Sequence, residues 1–375
     1  MAGMRRVHAL NFIRTMAVTT VAFLAPLRFL ELGFDGAGIG VVVALFASAP
    51  MVFSFPTGWL NDRVSMKAVM GAALLAMAAL FGAIGFIRGV APMAAAFLLL
   101  GVANNAFNVS INSLYFKDRA ETDPNRKYGR YVGWLSLGPP AGLLIGSFVA
   151  RVAGFRTLLG VMAVLCLAAA AAVHGLGEER FAAVSIRDYR FSVFNKRTLL
   201  FSAFLVLVAL HWGTELTVYG PFLRTRLGLS DSGVALYMAG AYLALASAAF
   251  LVGRLKFDPV RNRRLLLAGM TLSGLGLILM TVGDVRLSFL FRFLHEGGDG
   301  LTGAFVILTM SRLFEKATIG GSAGILMALQ TTGHMAGSLL FSWLGFRAGL
   351  QVPMIVAGAI LLANAAFGLY ALPRE

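Results

Sequence analysis

The feature that most constrains this chain is a series of long apolar segments without charged residues. Residues 68–87 and 89–116 contain no Asp, Glu, Lys or Arg, and similar segments recur along all 375 residues. A helix needs about 20 apolar residues to cross a bilayer. Only 13% of the residues are charged, whereas soluble domains carry about 25%. The chain is therefore predicted to reside in a membrane.

The apolar segments predict about twelve transmembrane helices. Lipid leaves unpaired backbone groups unsatisfied, so long and uniformly apolar segments favour helices over barrel strands, which alternate in polarity. The predicted spans are residues 10–32, 38–60, 67–88, 92–115, 130–151, 155–176, 199–223, 233–254, 264–283, 287–311, 319–345 and 351–372. Because Arg14 interrupts the first apolar run, we expect a retained first helix rather than a signal peptide. The predicted fold class is an all-α polytopic membrane protein.

The basic residues predict the orientation of these spans. With a cytoplasmic N-terminus, 22 of the 32 Lys and Arg residues fall in inner segments, 8 in outer segments and 2, Arg14 and Arg292, within spans. Cytoplasmic loops carry an excess of Lys and Arg, so both termini are predicted to be cytoplasmic. The protein itself is predicted to lie in the plasma (inner) membrane. The net charge of +15 is then spread over loops beside anionic membrane lipid, which argues against a nucleic-acid partner. We expect a monomer.

An internal repeat relates the two halves of the chain. Pairs separated by 195 residues are Pro26 and Pro221, Leu32 and Leu227, Gly33 and Gly228, and Gly58 and Gly253. An offset held across the ends of two successive spans indicates duplication. We therefore predict two pseudo-symmetric six-helix bundles, at residues 1–177 and 199–375. Between them, residues 178–198 form a predicted cytoplasmic loop with basic and aromatic residues that suit a segment lying on the membrane.

The segment between the second and third spans carries a known pattern. It reads Gly58-Trp-Leu-Asn-Asp62-Arg63-Val-Ser-Met-Lys67 and resembles the signature loop of the major facilitator superfamily, with Ser65 where that family usually has Gly. The resemblance implies the twelve-helix fold of secondary transporters. It also implies a gating role for Gly58, Asp62, Arg63 and Lys67, and for Asp258 in a degenerate second copy. Asp62 can meet the amides of a neighbouring helix N-terminus or an Arg; alternatively, the basic residues only set topology.

A second resemblance lies in the predicted fifth span. Gly138-Pro139-Pro140-Ala-Gly142 is similar to the Gly-Pro-x-x-Gly core common in the proton-linked exporters of the superfamily, although Leu143 replaces the usual final Gly. Pro with Gly opens the backbone ladder, which predicts a helix bend at Gly138, Pro139 and Gly142. The resemblance favours export. The alternative is a packing helix that has no influence on direction.

Ionisable residues within spans are costly and usually face a cavity, and here they concentrate in the second half. His211 and Glu215 lie one turn apart in the seventh span. In the tenth span, Gly297 and Gly298 are predicted to weaken the helix locally beside further ionisable groups. Because His titrates near neutrality, we predict proton coupling by this set, which consists of His211, Glu215, His295, Glu296 and Asp299. A structural His–Glu contact and charge compensation of Arg292 are the alternatives.

Polar residues of the first half offer hydrogen bonds without titrating. Asn104, Asn108 and Asn112 form an i, i+4, i+8 stripe on the fourth span, and Arg14 would suit as a counter-charge for an anionic substrate or for a cavity carboxylate. Interhelical hydrogen bonding is the alternative for any one Asn. The predicted substrate cavity comprises Arg14, Asn104, Asn108, Asn112, Tyr219, Arg292, Gln330 and His334.

Together these patterns predict a secondary transporter that moves a small organic molecule by alternating access, coupled to protons and exporting. A divalent metal transporter of the same fold is the alternative, because the His and acid residues suit such an ion. From another class, His295-Glu-Gly-Gly-Asp299 is one residue away from the His-Glu-x-x-His of zinc enzymes. Gly-Gly is poor for holding a rigid ligand pair and no third ligand is indicated, so we expect no enzyme activity and no cofactor.

Overall fold

The structure is a computed structural model that describes residues 2–34, 36–118, 122–177, 185, 187, 189 and 194–372. Its long elements are helices, which confirms the predicted all-α fold class. Eleven are numbered here: α1 (Ala2–Glu31), α2 (Gly36–Asn61), α3 (Met66–Ile84), α4 (Val90–Lys117), α5 (Pro124–Val173), α6 (Lys196–Thr225), α7 (Asp231–Val252), α8 (Pro259–Leu279), α9 (Val285–Leu313), α10 (Ile319–Ala348) and α11 (Gln351–Ala371). Most of the predicted loop at 178–198 lies outside the described residues.

Eight of these helices are long and apolar enough to cross a membrane, by length and composition. One of them, α5, is 50 residues long and contains the fifth and sixth predicted spans. The ninth, tenth and eleventh predicted spans form α8, α9 and α10, which have 21, 29 and 30 residues but carry more polar residues. Every predicted span therefore falls on a helix, and the polar ones are where functional residues are expected.

The internal repeat is visible in the backbone. Among the described residues, positive φ occurs only at four glycines: Gly33 (81°), Gly154 (83°), Gly228 (66°) and Gly349 (102°). They form two pairs, Gly33 with Gly228 and Gly154 with Gly349, and the members of each pair are 195 residues apart. All four lie at helix ends or at the break within α5, where only glycine adopts this conformation at little cost. The sequence offset thus corresponds to repeated helix connections.

The chain forms two compact units. The first contains Met1–Ala120, Leu137–Arg190 and Phe314–Ala328, and the second contains Glu121–Ser136, Phe191–Leu313 and Leu329–Glu375. Within the first unit, α2 and α3 pack on α4; within the second, α9 packs on α7 and α8, and α8 packs on α11. The start of α10 belongs to the first unit and the start of α5 to the second. The division into two six-helix bundles, which follows the sequence repeat, stays a prediction.

Within the first unit, Gly138 and Gly142 let α5 approach α1 closely. A Cβ atom added at Gly138 would collide with Thr15, and one added at Gly142 would collide with Thr20. Pro139 lies between these glycines, yet the non-helical φ and ψ within α5 occur at Gly154. The segment therefore packs closely through its small residues, while the predicted bend and its influence on direction stay predictions.

Candidate functional site

The seventh predicted span, α6, is interrupted where its ionisable residues lie. Its first segment ends at Leu210, a turn follows at His211, and Glu215–Tyr219 form a π-helix. Pro221 follows the π segment and has no N–H to donate to the preceding turn, which favours such an interruption. Short π segments inside helices occur frequently at functional sites. Helical spacing predicted both ionisable residues on one face of a regular helix and did not predict the interruption.

Arg292 on α9 is fully buried among two carboxylates and an aromatic ring. Its Nη1 donates to Glu215 Oε1 at 2.9 Å, and its Nη2 donates to Glu296, one turn further along α9. The guanidinium carbon lies 4.4 Å from the centre of the Tyr219 ring. The planar donor fork of arginine suits such multiple contacts. Charge compensation of Arg292, considered above as an alternative, therefore involves two acids.

Each of the two buried histidines in this unit contacts one carboxylate. His295 Nε2 lies 3.0 Å from Glu215 Oε1, and His211 Nε2 lies 3.0 Å from Asp299 Oδ2. The His side chains are 0% and 1% exposed, whereas those of Glu215 and Asp299 are 16% and 13% exposed. The carboxylates are therefore the members of each pair that are open to their surroundings.

The hydrogen bonds indicate where the histidine protons lie. His295 Nδ1 faces the Ser273 carbonyl oxygen at 2.9 Å, and His211 Nδ1 faces the carbonyl oxygen of Val208. A carbonyl oxygen only accepts, so each Nδ1 carries a proton, and in a neutral ring Nε2 would carry none. If Nε2 carried no proton, its lone pair would face a lone pair of the carboxylate oxygen, and the two acceptors would repel each other. One further proton in each His–carboxylate pair would turn this repulsion into a hydrogen bond.

The charges of the cluster support the same assignment. If both rings were neutral, Arg292 with Glu215, Glu296 and Asp299 would carry two net negative charges. Uncompensated charge at membrane depth is costly. Two protons, one in each His–carboxylate pair, would make the cluster neutral. We call His211, Glu215, Arg292, His295, Glu296 and Asp299 the ionisable cluster.

Ser273 on α8 connects the two pairs and was not singled out in the sequence. Its Oγ donates to Asp299 Oδ1 at 2.6 Å and lies 2.9 Å from His295 Nδ1. Because Oγ has one proton and donates it to Asp299, it accepts from His295. A single Ser in an apolar span carries no signal of this role. Only the packing of α8 on α9 reveals it.

Gly298 has a packing role that replaces the one predicted for it. Gly297 and Gly298 were expected to weaken the helix, but α9 is continuous over Val285–Leu313, so this prediction was wrong. A Cβ atom added at Gly298 would collide with the backbone of Gly269 on α8, and one at Gly276 would collide with the backbone of His295. These glycines let α8 and α9 approach closely enough for Ser273 to reach the cluster.

The remaining residues predicted to line a cavity in the second half lie on α10. The ring of His334 is 6.0 Å from the ring of Trp212, which follows His211 in α6. Gln330 is half-buried one turn before His334. His334 therefore borders the ionisable cluster through Trp212. Tyr219, another predicted cavity residue, contacts the cluster through Arg292.

In the first unit, Arg14 is joined to the asparagine stripe. Its Nη1 donates to Asn104 Oδ1 at 2.8 Å, and its Nε and Nη2 donate to Asn11 Oδ1 at 3.3 and 3.1 Å. The three stripe residues, which include Asn108 and Asn112, are all half-buried on α4. Amide groups of this kind suit a cavity wall, and the Arg14–Asn104 bond also links α1 to α4. Both interpretations of the stripe are therefore compatible with the contacts.

Asp62 directly follows α2, and its carboxylate contacts the start of α10 within the first unit. Its Oδ2 accepts from the Gly321 backbone N–H and from the Tyr189 hydroxyl, both at 2.9 Å, and its Oδ1 accepts from Lys117 Nζ at 2.6 Å. Asp62 is 3% exposed and Lys117 is 2% exposed. The carboxylate therefore joins the end of α2 to the N-terminus of a helix from the second half of the sequence, where a negative charge is favourable. Nothing in the sequence had indicated Lys117 and Tyr189 as its partners.

Gly58 brings the same two helices into backbone contact. A Cβ atom at Gly58 would collide with the backbone of Gly320 on α10. In the second unit its repeat counterpart, Gly253, lies in the same way against Gly129 at the start of α5. The repeat therefore preserves a close helix crossing as well as a residue type.

The other predicted gating residues have separate contacts. Lys67 Nζ donates to the Leu176 carbonyl oxygen at 3.1 Å, and the Arg63 guanidinium lies 4.2 Å from the centre of the Trp59 ring. Asp258 is exposed and caps α8, where its carboxylate accepts from the Arg261 backbone N–H at 2.8 Å. Asp258 thus differs from the buried Asp62 in its surroundings, and helix capping accounts for its position.

Long apolar helices with a buried cluster of ionisable side chains are typical of membrane transport proteins, in which such groups mark substrate or ion pathways. The family comparison makes this specific. The family model described as Major Facilitator Superfamily matches residues 7–263 and 206–375. The chain belongs to the major facilitator superfamily.

Solved structures share this fold. The human organic anion transporter MFSD10 (TETRAN) is 16% identical, with a TM-score of 0.81 over 97% of this chain and 99% of that chain. The fucose:proton symporter FucP of E. coli is 14% identical, with a TM-score of 0.75 over 100% of this chain and 99% of that chain. At these identities the similarity shows the fold alone. No curated protein matches the sequence.

Proposed function

We propose that this transporter moves a small organic solute by alternating access and couples the movement to protons in the ionisable cluster. The observation that carries the proposal is the pair of His–carboxylate contacts at 3.0 Å, His211–Asp299 and His295–Glu215, each of which can hold one proton. Release of both protons leaves two net negative charges around Arg292, which strongly disfavours the arrangement described above. A ligand or proton that binds two arrangements unequally shifts the balance between them, and this is the physical basis of coupling.

The comparisons support parts of this proposal. FucP is a fucose:proton symporter, which agrees with a proton as coupling ion, and MFSD10 is an organic anion transporter, which agrees with an organic solute. Arg14, with its neutral amide neighbours, would suit an anionic group of such a solute. Export is proposed because Gly138, Pro139 and Gly142 resemble the exporter pattern.

A vesicle transport screen tests the proposed function. The full chain is expressed and inverted vesicles are supplied with a metabolite and ion mixture under an imposed pH gradient. Accumulation of an organic compound when the interior is acidic is the expected result, and a protonophore should abolish this accumulation. Uptake of an organic compound at the same rate whether the interior is acidic or alkaline would contradict proton coupling. Transport itself would still be established.

A second candidate function is transport of a divalent metal ion. One ligand atom each from His211, Glu215, His295 and Asp299 lies within 4.8 Å of the others. In both histidines Nδ1 contacts a backbone carbonyl oxygen, which leaves Nε2 to bind the metal. This is the usual arrangement of metal-binding imidazoles. A divalent ion would replace the two shared protons without changing the net charge. Gradient-driven uptake of Mn²⁺ or Zn²⁺, with no organic compound moved, would favour this candidate.

The Asp62 contacts lead to a prediction on gating. Asp62→Asn is expected to slow turnover about tenfold or more with little change in substrate affinity, because it weakens charged hydrogen bonds worth roughly 1.5–3 kcal/mol each and leaves Lys117 buried without a carboxylate. Asp258→Asn serves as the matched control, since that carboxylate is exposed. Initial rates and substrate binding are measured on the same preparations. Wild-type turnover in Asp62→Asn would reduce this residue to a topological role.

Cysteine labelling tests the proposed orientation. In a chain whose native Cys166 is replaced by Ala, single cysteines at the exposed positions Arg5, Arg264 and Asp284 are treated with an impermeant thiol reagent in intact cells. Excess basic residues predict that the first two positions are cytoplasmic and shielded, whereas Asp284 is expected to react. Permeabilised cells show whether all three positions are reactive. Labelling at Arg5 or Arg264 in intact cells would contradict the topology.

A further inference from the structure

A cleft in the second unit lies where four helix ends meet. Arg197 at the start of α6, Arg263 near the start of α8 and Arg312 at the end of α9 line it. Arg312 is 13 residues beyond Asp299 on α9, which is about 20 Å at the rise of a helix. The cleft is therefore separate from the ionisable cluster, although α6 and α9 contribute to both.

The three arginines of this cleft have no acidic partner in the part of the chain that the structure describes. Among the described residues none of the three forms an ion pair, and the cleft is lined by no Asp or Glu. Arg263 donates to the Leu369 carbonyl oxygen, while its Nε is buried without a hydrogen-bond partner. Arg312 stacks over Phe257, with its guanidinium carbon 4.7 Å from the ring centre. Three like charges around one cleft favour an anion.

The floor and flanks of the cleft are apolar. Leu266, Phe305 and Leu308 line it and are 2%, 1% and 5% exposed. Beside the arginines, large apolar side chains point outward: Val260 is 52% exposed and Tyr370 is 61% exposed. Such side chains are expected at the lipid-facing surface of a membrane protein. The cleft therefore combines cations with an apolar lining at the lipid-facing surface, on the side predicted to be cytoplasmic.

From these contacts we propose that the cleft binds the headgroup of an anionic phospholipid. The phosphate lies between the arginines, since guanidinium forks match phosphate oxygens, and the glycerol and upper acyl carbons lie along the apolar floor. Basic clefts between helix ends on the cytoplasmic side are typical sites for anionic lipid. The site ties together the ends of α6, α8 and α9. It does not depend on proton coupling or on the solute.

Short-chain lipid titration tests this site on the purified full chain in a non-ionic detergent. Dioctanoyl phosphatidylglycerol is expected to bind saturably and to raise the unfolding temperature, whereas dioctanoyl phosphatidylcholine is not. The triple variant Arg197→Gln, Arg263→Gln and Arg312→Gln is expected to weaken binding roughly 100-fold, because each basic residue near an anionic surface contributes about fivefold. The matching Lys variants keep the charge but lose the guanidinium fork, so they should bind more weakly than the wild type and more tightly than the Gln variant.

Two controls decide between the sources of affinity. Gln substitutions at Arg130, Arg254 and Arg264, which are exposed on the same predicted side, remove equal charge outside the cleft and should leave binding unchanged. An equal loss in this control would overturn the proposal in favour of diffuse electrostatics. Inorganic phosphate or glycerol phosphate that binds as tightly as the lipid would overturn the assignment to a lipid.

Discussion

Glu215→Gln and Asp299→Asn are expected to show that proton coupling resides in the ionisable cluster, with at least one of them reducing pH-gradient-driven transport to background. In each variant an amide replaces the carboxylate of one His–carboxylate contact. The amide resembles the protonated carboxyl and cannot titrate, so that pair no longer releases or takes up a proton. Substrate binding and substrate exchange, which need no net proton movement, should remain. Both are measured in vesicles, with and without an imposed gradient.

Two further variants sharpen this experiment. Glu296→Gln tests the third acid, which contacts Arg292 and no histidine among the described hydrogen bonds, so a smaller effect on coupling is expected. Asp284→Asn, at an exposed acid before α9, is the matched control and should transport normally. If Glu215→Gln, Asp299→Asn and Glu296→Gln all keep full gradient-driven transport, the proton site is wrong and these groups belong to helix packing or to substrate contact.

Arg292→Gln is expected to destabilise the protein by about 3–5 kcal/mol, because removing one member of a buried ion pair leaves uncompensated charge. Here Arg292 is fully buried and contacts both Glu215 and Glu296. Thermal unfolding of the purified protein measures the effect, with Arg226→Gln at an exposed position as control. A loss no greater than that of the control would contradict the central position of Arg292.

A compensating substitution separates charge balance from packing. Arg292→Gln combined with Glu296→Gln removes one charge of each sign, so part of the lost stability should return if electrostatics dominates. A double variant that is less stable than Arg292→Gln alone would instead assign the role of Arg292 to shape and to its contact with the Tyr219 ring. Comparing the double variant with both single variants gives the coupling energy directly.

The fold followed from the sequence because the membrane leaves few choices. Uniformly apolar segments near the length of a bilayer must form helices, and every predicted span lies on one. The constant offset between Gly33 and Gly228 predicted duplicated halves, and both glycines have positive φ at a helix end. These features depend on local chemistry and on solvent, and so they can be read from the order of the residues.

The membership of the candidate site was also indicated by the sequence, because ionisable residues at span depth are rare. The sequence did not indicate which of these groups contact each other. Arg292 compensating two acids, Ser273 joining His295 to Asp299, and the π segment at Glu215–Tyr219 all depend on how α6, α8 and α9 pack. Spacing along one helix cannot give the distance to another.

The sequence by itself therefore determined an all-helical membrane protein and its inventory of ionisable groups, since cost in lipid restricts where such groups occur. Only the tertiary structure decided that each histidine lies against one carboxylate, and that the Asp62 carboxylate accepts from the N-terminus of α10 beside Lys117. The physical reason is that proton position and charge balance depend on atoms within hydrogen-bonding distance, about 3 Å. Glycines such as Gly58 and Gly298 set those distances by letting helix backbones touch.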